Sequence, residues 1–195
     1  GSGKSVLLKN LAWSYGSGKL NFLVGLPTVL LLELYRISKP DLDKEELIQV
    51  LVDVFERNHF PNSEKLVLRS LESGSLMLLL DGLDEVNSEV REHVVLVLRD
   101  LLKRYRKCKV VITCRTAAYD NQFSDIFDQT LEVVEFTDQQ MRRFLKAWEP
   151  QIPKGEKKVN QMIATLRDRP LILTLARNPL LLTLISYLYA KPDFA

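Results

Sequence analysis

Five consecutive apolar residues, Leu76-Met77-Leu78-Leu79-Leu80, run straight into Asp81-Gly82-Leu83-Asp84-Glu85. A strand with one wet face alternates polar and apolar side chains. A strand without alternation is covered on both faces, which points to the interior of a parallel sheet flanked by helices. Two further runs agree: residues 28–34 (Thr-Val-Leu-Leu-Leu-Glu-Leu) and 109–113 (Lys-Val-Val-Ile-Thr) are both apolar and of strand length. Helical periodicity fills the intervals. Residues 5–14 place Leu7, Leu8, Leu11 and Ala12 on one face, and Gly16 and Gly18 end that helix. Asp43-Lys44-Glu45-Glu46 is a capping box that opens a helix with a core face of Leu47, Leu51, Val54 and Phe55. A short helix is expected over 63–71, and a longer one over 88–103 through Val90, Val94, Leu98 and Leu101. Strands alternating with helices predict an α/β fold with a mostly parallel sheet. Leu131-Glu132-Val133-Val134 is expected as a fourth, shorter strand.

Beyond residue 136 the pattern is purely helical. Thr137-Asp138-Gln139-Gln140 is a second capping box, followed by Met141, Phe144, Leu145 and Trp148 on one face, and Pro150 and Pro153 interrupt the chain. Helices are predicted over 157–167, 170–176 and 179–189, two of them opening with proline at the favoured first position. The stripe Leu180, Leu181, Leu182, Leu184, Ile185 and Leu188 is expected as helical core. The predicted division is a sheet-bearing domain over 1–135 and a helical subdomain over 136–195.

Composition narrows the class of partner. With 195 residues, 46% hydrophobic and 27% charged, the chain has enough apolar material for a proper core. A net charge of +2 argues against a general polyanion binder. The basic cluster Lys103, Arg104, Arg106, Lys107 and Lys109 falls at a helix end, where cations complement the dipole, so direct nucleic-acid binding is not expected. Two cysteines, Cys108 and Cys114, cannot build a disulfide framework, and a reducing, cytoplasmic setting is the expectation. No apolar run approaches the roughly 20 residues needed to span a bilayer.

Three constellations carry chemistry. Gly1-Ser2-Gly3-Lys4-Ser5, followed by a helix, is the second half of the phosphate-binding pattern G-x-x-x-x-G-K-[ST]. There the backbone N–H groups and the helix N-terminus face phosphate oxygens, Lys4 reaches the terminal phosphates, and the Ser5 hydroxyl can ligate Mg²⁺. The competing reading is a flexible Gly-Ser leader. Gly16-Ser17-Gly18-Lys19 resembles the same pattern but leaves a helix instead of entering one, so it is read as a helix stop. In Asp81-Gly82-Leu83-Asp84-Glu85, a carboxylate at the carboxyl end of a buried strand suits Mg²⁺ held through water, and Asp84 or Glu85 is placed to polarise an attacking water. The alternative is an ordinary polar turn. Arg115 follows the third strand and, if that strand adjoins the one ending in Asp81, projects toward the same crevice; otherwise it is a surface arginine. Cys108 and Cys114 are expected to be structural thiols, and His59 and His93 to face solvent.

Taken in order, Lys4-Ser5, Asp81-Gly82-Leu83-Asp84-Glu85, Ile112-Thr113-Cys114-Arg115 and Arg177-Asn178-Pro179-Leu180-Leu181-Leu182-Thr183-Leu184 make the chain resemble the NACHT-domain proteins. These belong to the signal-transduction ATPases with numerous domains and are similar to the NOD-like receptors. The resemblance covers essentially the whole chain. It implies a three-layer P-loop NTPase sandwich with strand order 2-3-4-1-5, followed by a short helical domain. It also implies that Gly1, Ser2, Gly3, Lys4 and Ser5 bind the phosphates, Ser5 and Asp81 serve the metal, Asp84 and Glu85 are the catalytic acidic pair, Arg115 is a sensor arginine and Pro179 packs near the adenine. Of the family pattern, the first half of the phosphate loop and the strand that feeds it are missing here. The chain is accordingly expected to be cut from a larger one, with effector and sensor domains flanking it.

The function expected from this reading is an ATP-binding, slowly hydrolysing switch that takes ATP or ADP with Mg²⁺ and forms a homo-oligomer when activated, in a regulatory, signalling or innate-immune defence protein. Two rivals are a nucleotide-binding scaffold without turnover and a P-loop GTPase or nucleotide kinase. Against the second, the chain has no Asn-Lys-x-Asp tetrapeptide and no glycine three residues after Asp81.

Overall fold

A computed structural model of the chain describes residues 3–19, 28–37, 39–151 and 155–190. The chain divides into two compact units, residues 4–131 and residues 132–195 with 1–3. The first contains helix α1 (Lys4–Gly16), strand β1 (Thr28–Glu33), α2 (Lys44–Arg57), α3 (Ser63–Ser73), β2 (Leu76–Asp81), α4 (Ser88–Arg104) and β3 (Lys109–Ile112). The second contains α5 (Asp138–Trp148), α6 (Gly155–Arg167), α7 (Pro170–Ala176) and α8 (Pro179–Ala190).

The three strands form one parallel sheet in the order β1-β2-β3. Thr28 pairs with Leu76 through to Glu33 with Asp81, and Met77 pairs with Lys109 through to Leu80 with Ile112. Parallel neighbours require crossover connections, supplied by α2 and α3 between β1 and β2, and by α4 between β2 and β3. All six residues of β2 are buried, as its unbroken apolar run requires. Because successive side chains point to opposite faces, β2 feeds two cores. Leu76, Leu78 and Leu80 join Leu30 and Leu32 and meet Leu47 and Leu51 of α2, Val67 and Leu71 of α3 and Val94 and Leu98 of α4. Met77 and Leu79 form the opposite face with Val29, Leu31 and Val111, closed by Leu8, Leu11 and Ala12 of α1.

Local chemistry sets the element ends. Asp43 Oδ1 accepts from the Glu46 N–H at 2.7 Å, and the Glu46 carboxylate accepts from the Asp43 N–H at 3.3 Å, so the expected capping box opens α2. Such a cap stabilises a helix by about 1 kcal/mol. At the end of α3, Gly74 adopts a φ of +72°, and a Cβ there would collide with Lys107. Only glycine turns the chain at this point into β2. Gly18, at φ +71°, ends the α1 segment as the second glycine cluster predicted.

Residues 132–195 have their own core, built by Met141 and Leu145 of α5, Val159, Met162 and Leu166 of α6, Ala176 of α7 and Leu182 of α8. Thr137 and Gln140 form the expected capping box. Arg177 fastens this unit. Its guanidinium donates to the Phe136 carbonyl at 3.1 Å and to Asp138 at 2.7 Å, and its own carbonyl accepts from the Phe136 N–H at 2.9 Å.

Three expectations need correction. Residues 131–134 form no strand: Leu131 and Val134 lie largely exposed, because strand-forming side chains make a strand only where a sheet edge receives them. Leu7 of α1 faces outward, leaving Leu8 as the fully buried residue of that helix. The α8 stripe is split: Leu182 is buried, whereas Leu180, Leu184 and Leu188 are about half exposed. A helix apolar on all sides does not reveal in its sequence which side meets the core. No single described helix is long and apolar enough to cross a membrane.

Candidate functional site

The carboxyl ends of β2 and β3 are joined by one side chain that the sequence did not single out. Thr113 follows β3 directly, and its N–H donates to the Leu80 carbonyl at 2.9 Å, extending the ladder by one step. Its hydroxyl donates to Asp81 Oδ1 at 2.6 Å and accepts from the Gly82 N–H at 2.9 Å. Its carbonyl accepts from the Leu83 N–H at 2.9 Å. Both Asp81 and Thr113 are buried. A 2.6 Å O–H···O contact has the length of a charge-assisted hydrogen bond.

The turn after Asp81 is then held from both sides. Gly82 takes a φ of +75°, and residues Leu83–Glu85 form a single 3-10 turn whose Leu83 plugs into the core. Asp84 is nearly enclosed, and Arg115 satisfies both of its oxygens: the Arg115 N–H donates to Oδ1 at 2.8 Å and Nε donates to Oδ2 at 2.9 Å. Arg91, in the first turn of α4, grips the backbone of the same turn. Its Nη2 donates to the carbonyls of Asp84 and Val86, each at 2.9 Å, and its Nε donates to Val86 at 3.2 Å. Glu85 is exposed. Its carboxyl group lies over Gly82, where a Cβ would come within 3.0 Å of Glu85 Cδ and Oε2. The two members of the acidic pair therefore differ in kind. Asp84 is bound up by an arginine, and Glu85 stands at the surface.

Lys4 and Ser5 open α1, immediately after Gly3 at φ +87°. Gly1 and Ser2 lie outside the described residues. The first half of α1 meets the carboxyl edge of the sheet. Lys9 reaches Glu33, the last residue of β1 and the register partner of Asp81, at 3.4 Å. The Lys4 charge also acts on the thiol of Cys114, just beyond β3. Burial pushes that thiol above its usual range and the Asp84 charge adds to it, while an Asp84 backbone hydrogen bond and the charges of Lys4 and Arg91 pull the other way.

Lys4, Ser5, Asp81, Asp84, Glu85 and Arg115 thus all belong to the sheet unit and lie at its carboxyl end or on the helix that starts there. Pro179 belongs to the helical unit, where it is the first residue of α8 behind a cap from Asn178, whose Oδ1 accepts from the Leu180 N–H at 3.0 Å and the Leu181 N–H at 3.3 Å. Cys108 is buried and Cys114 partly so, both as free thiols.

Thr113 and Arg91 are the residues that sequence reasoning missed. Thr113 gains its place from the β2–β3 register, which no local pattern encodes. Arg91 left a signal, since a cation in the first turn of a helix opposes the dipole and calls for a local partner.

Among the described residues no three His, Cys, Asp or Glu side chains converge as a metal cage. A hard cation at this edge would therefore take one or two protein oxygens and complete its shell with phosphate and water, the habit of Mg²⁺. The buried Asp81 carboxylate, restrained by a neutral hydroxyl, fits that donor set.

No curated protein matches the chain significantly. Among solved structures, Thermotoga maritima RuvB, a Holliday junction branch migration motor, aligns at 14% identity over 96% of this chain and 70% of its own, with a TM-score of 0.34. A threonine-to-valine variant of the same RuvB aligns at 15% identity with the same coverage and TM-score. A lysine-to-arginine mutant of it aligns at 14% identity over 98% of this chain and 71% of its own, with a TM-score of 0.33. Likeness at that level carries no argument about the site. The family model of the NACHT domain matches residues 1–152. The α/β P-loop fold it denotes is that of a nucleotide-binding domain in an NTPase class, whose members take a nucleotide and usually Mg²⁺. The parallel sheet, the helix opened by Lys4-Ser5 and the carboxylates that end β2 accord with that match, and the chain belongs to the NACHT family and so to the signal-transduction ATPases with numerous domains.

Proposed function

We propose that the chain is the ATP-binding and slowly hydrolysing core of a nucleotide-controlled switch. The observation that carries this reading is the division of carboxylates at the end of β2, with Asp81 buried and restrained by a hydroxyl, Asp84 enclosed by Arg115, and Glu85 exposed. In this reading Gly1 to Lys4 and the start of α1 receive the phosphates, and Ser5 and Asp81 serve Mg²⁺, which when bound offsets the phosphate charge. Glu85 accepts a proton from the attacking water, and Asp84 with Arg115 fixes the turn that aims it. A terminal phosphate offers Arg115 a second anionic partner, so ATP and ADP engage the Asp84–Arg115 pair differently. Such differential contact is what a ligand needs to shift a conformational equilibrium.

The biological setting follows from the same reading. ATP favours an open, homo-oligomerising state and ADP a closed one, in a cytoplasmic regulatory or defence protein whose flanking domains sense a signal and deliver the output.

The test uses the full-length protein with Mg²⁺. Lys4→Ala is expected to abolish ATP binding measured by calorimetry, and wild-type affinity in that variant overturns the assignment. Glu85→Gln is expected to keep affinity and lose hydrolysis; unchanged turnover removes Glu85 from the mechanism. Competition between ATP and GTP identifies the base preference, and tight GTP binding would replace the ATP reading with the GTPase one.

A further inference from the structure

We propose that Thr113 is a positioning residue that presents Asp81 to the divalent cation accompanying the nucleotide, an inference that rests on the nucleotide-binding reading above. A threonine hydroxyl has one proton to donate. Because the Gly82 N–H donates to that hydroxyl at 2.9 Å, the oxygen is oriented as an acceptor on one side, and its proton is committed to Asp81 Oδ1 at 2.6 Å. The Asp81 carboxylate is thereby held in one rotamer by a group that carries no charge. The bond engages Oδ1 and leaves Oδ2 outside it.

The contrast with Asp84, three residues on, shows what this arrangement achieves. Asp84 is also enclosed, and both of its oxygens are taken by Arg115, one by the guanidinium and one by the backbone. Asp81 is buried against a neutral hydroxyl instead. Among the described residues Asp81 forms no ion pair, and burying a carboxylate against a neutral group is costly, so a site that gives Asp84 an arginine and Asp81 a hydroxyl retains at Asp81 an affinity for an added cation. An arginine or lysine at position 113 would neutralise Asp81, and an apolar residue would leave its rotamer loose and the Gly82 N–H without an acceptor. A hydroxyl orients the carboxylate without neutralising it. The ladder bond from the Thr113 N–H to Leu80 and the bond from the Leu83 N–H to the Thr113 carbonyl fix the backbone on which that hydroxyl stands.

The experiment is a titration of MgCl₂ against full-length protein and a fluorescent ATP analogue, with parallel binding in EDTA. Thr113→Val is expected to raise the half-saturating Mg²⁺ concentration by about tenfold, the lower end of the usual cost of removing a group that orients a metal ligand. Binding in EDTA should stay unchanged and Thr113→Ser should restore the wild-type requirement to within about twofold, since the hydroxyl and not the methyl carries the effect. Asp81→Asn should raise the requirement as well, and adding Thr113→Val to it should change nothing further, because the two act as one unit. If Thr113→Val does not fold, the pair Thr113→Ala and Thr113→Ser, which differ by the hydroxyl alone, answers the same question. A wild-type Mg²⁺ requirement in the variant without the hydroxyl overturns the proposal. So does an equal loss of binding with and without Mg²⁺, which marks a merely structural role, or additivity with Asp81→Asn. Failure of the nucleotide reading itself would look different: wild-type protein would bind no analogue under either condition.

Discussion

Arg115 holds Asp84 with two atoms of different kinds, its backbone N–H on Oδ1 at 2.8 Å and its Nε on Oδ2 at 2.9 Å. The Asp84 side chain is nearly enclosed, whereas that of Arg115 is 72% exposed, so the two halves of the grip differ in worth. The guanidinium contact is screened by water, and such exposed pairs contribute about 1 kcal/mol or less. The backbone contact persists whatever side chain stands at 115. Asp84→Ala is therefore expected to cost about 1–3 kcal/mol of unfolding free energy, the usual loss on deleting a hydrogen-bonded charged acceptor. Arg115→Ala should cost less than about 1 kcal/mol. Urea denaturation of both variants checks the order, and a larger loss from Arg115→Ala contradicts it.

Arg91 reaches two carbonyls of the turn with the forked geometry that lysine lacks. Arg91→Lys keeps the charge and loses the fork, so on the proposed mechanism Glu85 would be less well aimed. The expectation is a fall in kcat of between ~10-fold and ~100-fold, the range associated with small misplacements of a reacting group. Steady-state kinetics and calorimetry separate the outcomes: ATP affinity should stay near wild type, and a parallel loss of affinity would mean that Arg91 supports the binding surface instead.

Gly82 combines a φ of +75° with the close approach of Glu85. Gly82→Ala places a side chain in left-handed backbone, at a cost of roughly 1–2 kcal/mol. It also displaces the Glu85 carboxyl group from its place over the turn. Hydrolysis should fall more than stability predicts, and Glu85→Gln in the Gly82→Ala background should add little further loss. Independent, additive losses would show that Gly82 serves the backbone alone.

The acid side of the stability curve has a local source in Glu33. The Arg36 guanidinium holds its carboxyl below the usual range, burial opposes this, and Tyr35 and Lys9 lower it further. A carboxyl group depressed in the folded state adds stability above its unfolded pKa and loses it as pH falls through the folded value. The contribution is thus present at neutral pH and fades below about pH 4.3, the ordinary glutamate value. Thermal melts of Glu33→Gln should show a shallower decline on acidification than wild type, with the two curves converging at low pH. Parallel curves throughout would exclude Glu33 as a source of the slope.

What the sequence disclosed tracks how local each cause is. β2 was legible because five apolar residues without alternation admit one environment, and α2 because Asp43 and Glu46 cap each other within four residues. Residues 131–134 have strand-like side chains, but strand formation depends on a neighbouring edge that the segment does not encode. The α8 stripe failed for a related reason, since packing and not composition decides which leucines are covered. At the site, the residue types of the Asp81 to Glu85 turn were legible, while the different surroundings of its acids were not. Asp84 and Glu85 look equivalent in sequence and are made different by Arg115, 31 positions away from Asp84. Thr113 acquires its contact through a register shared by two strands.

The two faces of the sheet are covered unequally. Among the described residues one is sealed by three helices with many buried side chains, the other by α1, which brings Leu8 fully inside while Val6, Leu7 and Trp13 stay exposed. The helix carrying Lys4 and Ser5 is thus the lightly fastened layer of this unit. A nucleotide that gripped its first turn, as proposed above, would act as a clasp as much as a cargo, since part of its binding free energy would go into keeping that face closed. On the proposed reading, departure of the nucleotide is expected to loosen that side of the sheet, which would give a small molecule leverage over surfaces it never touches.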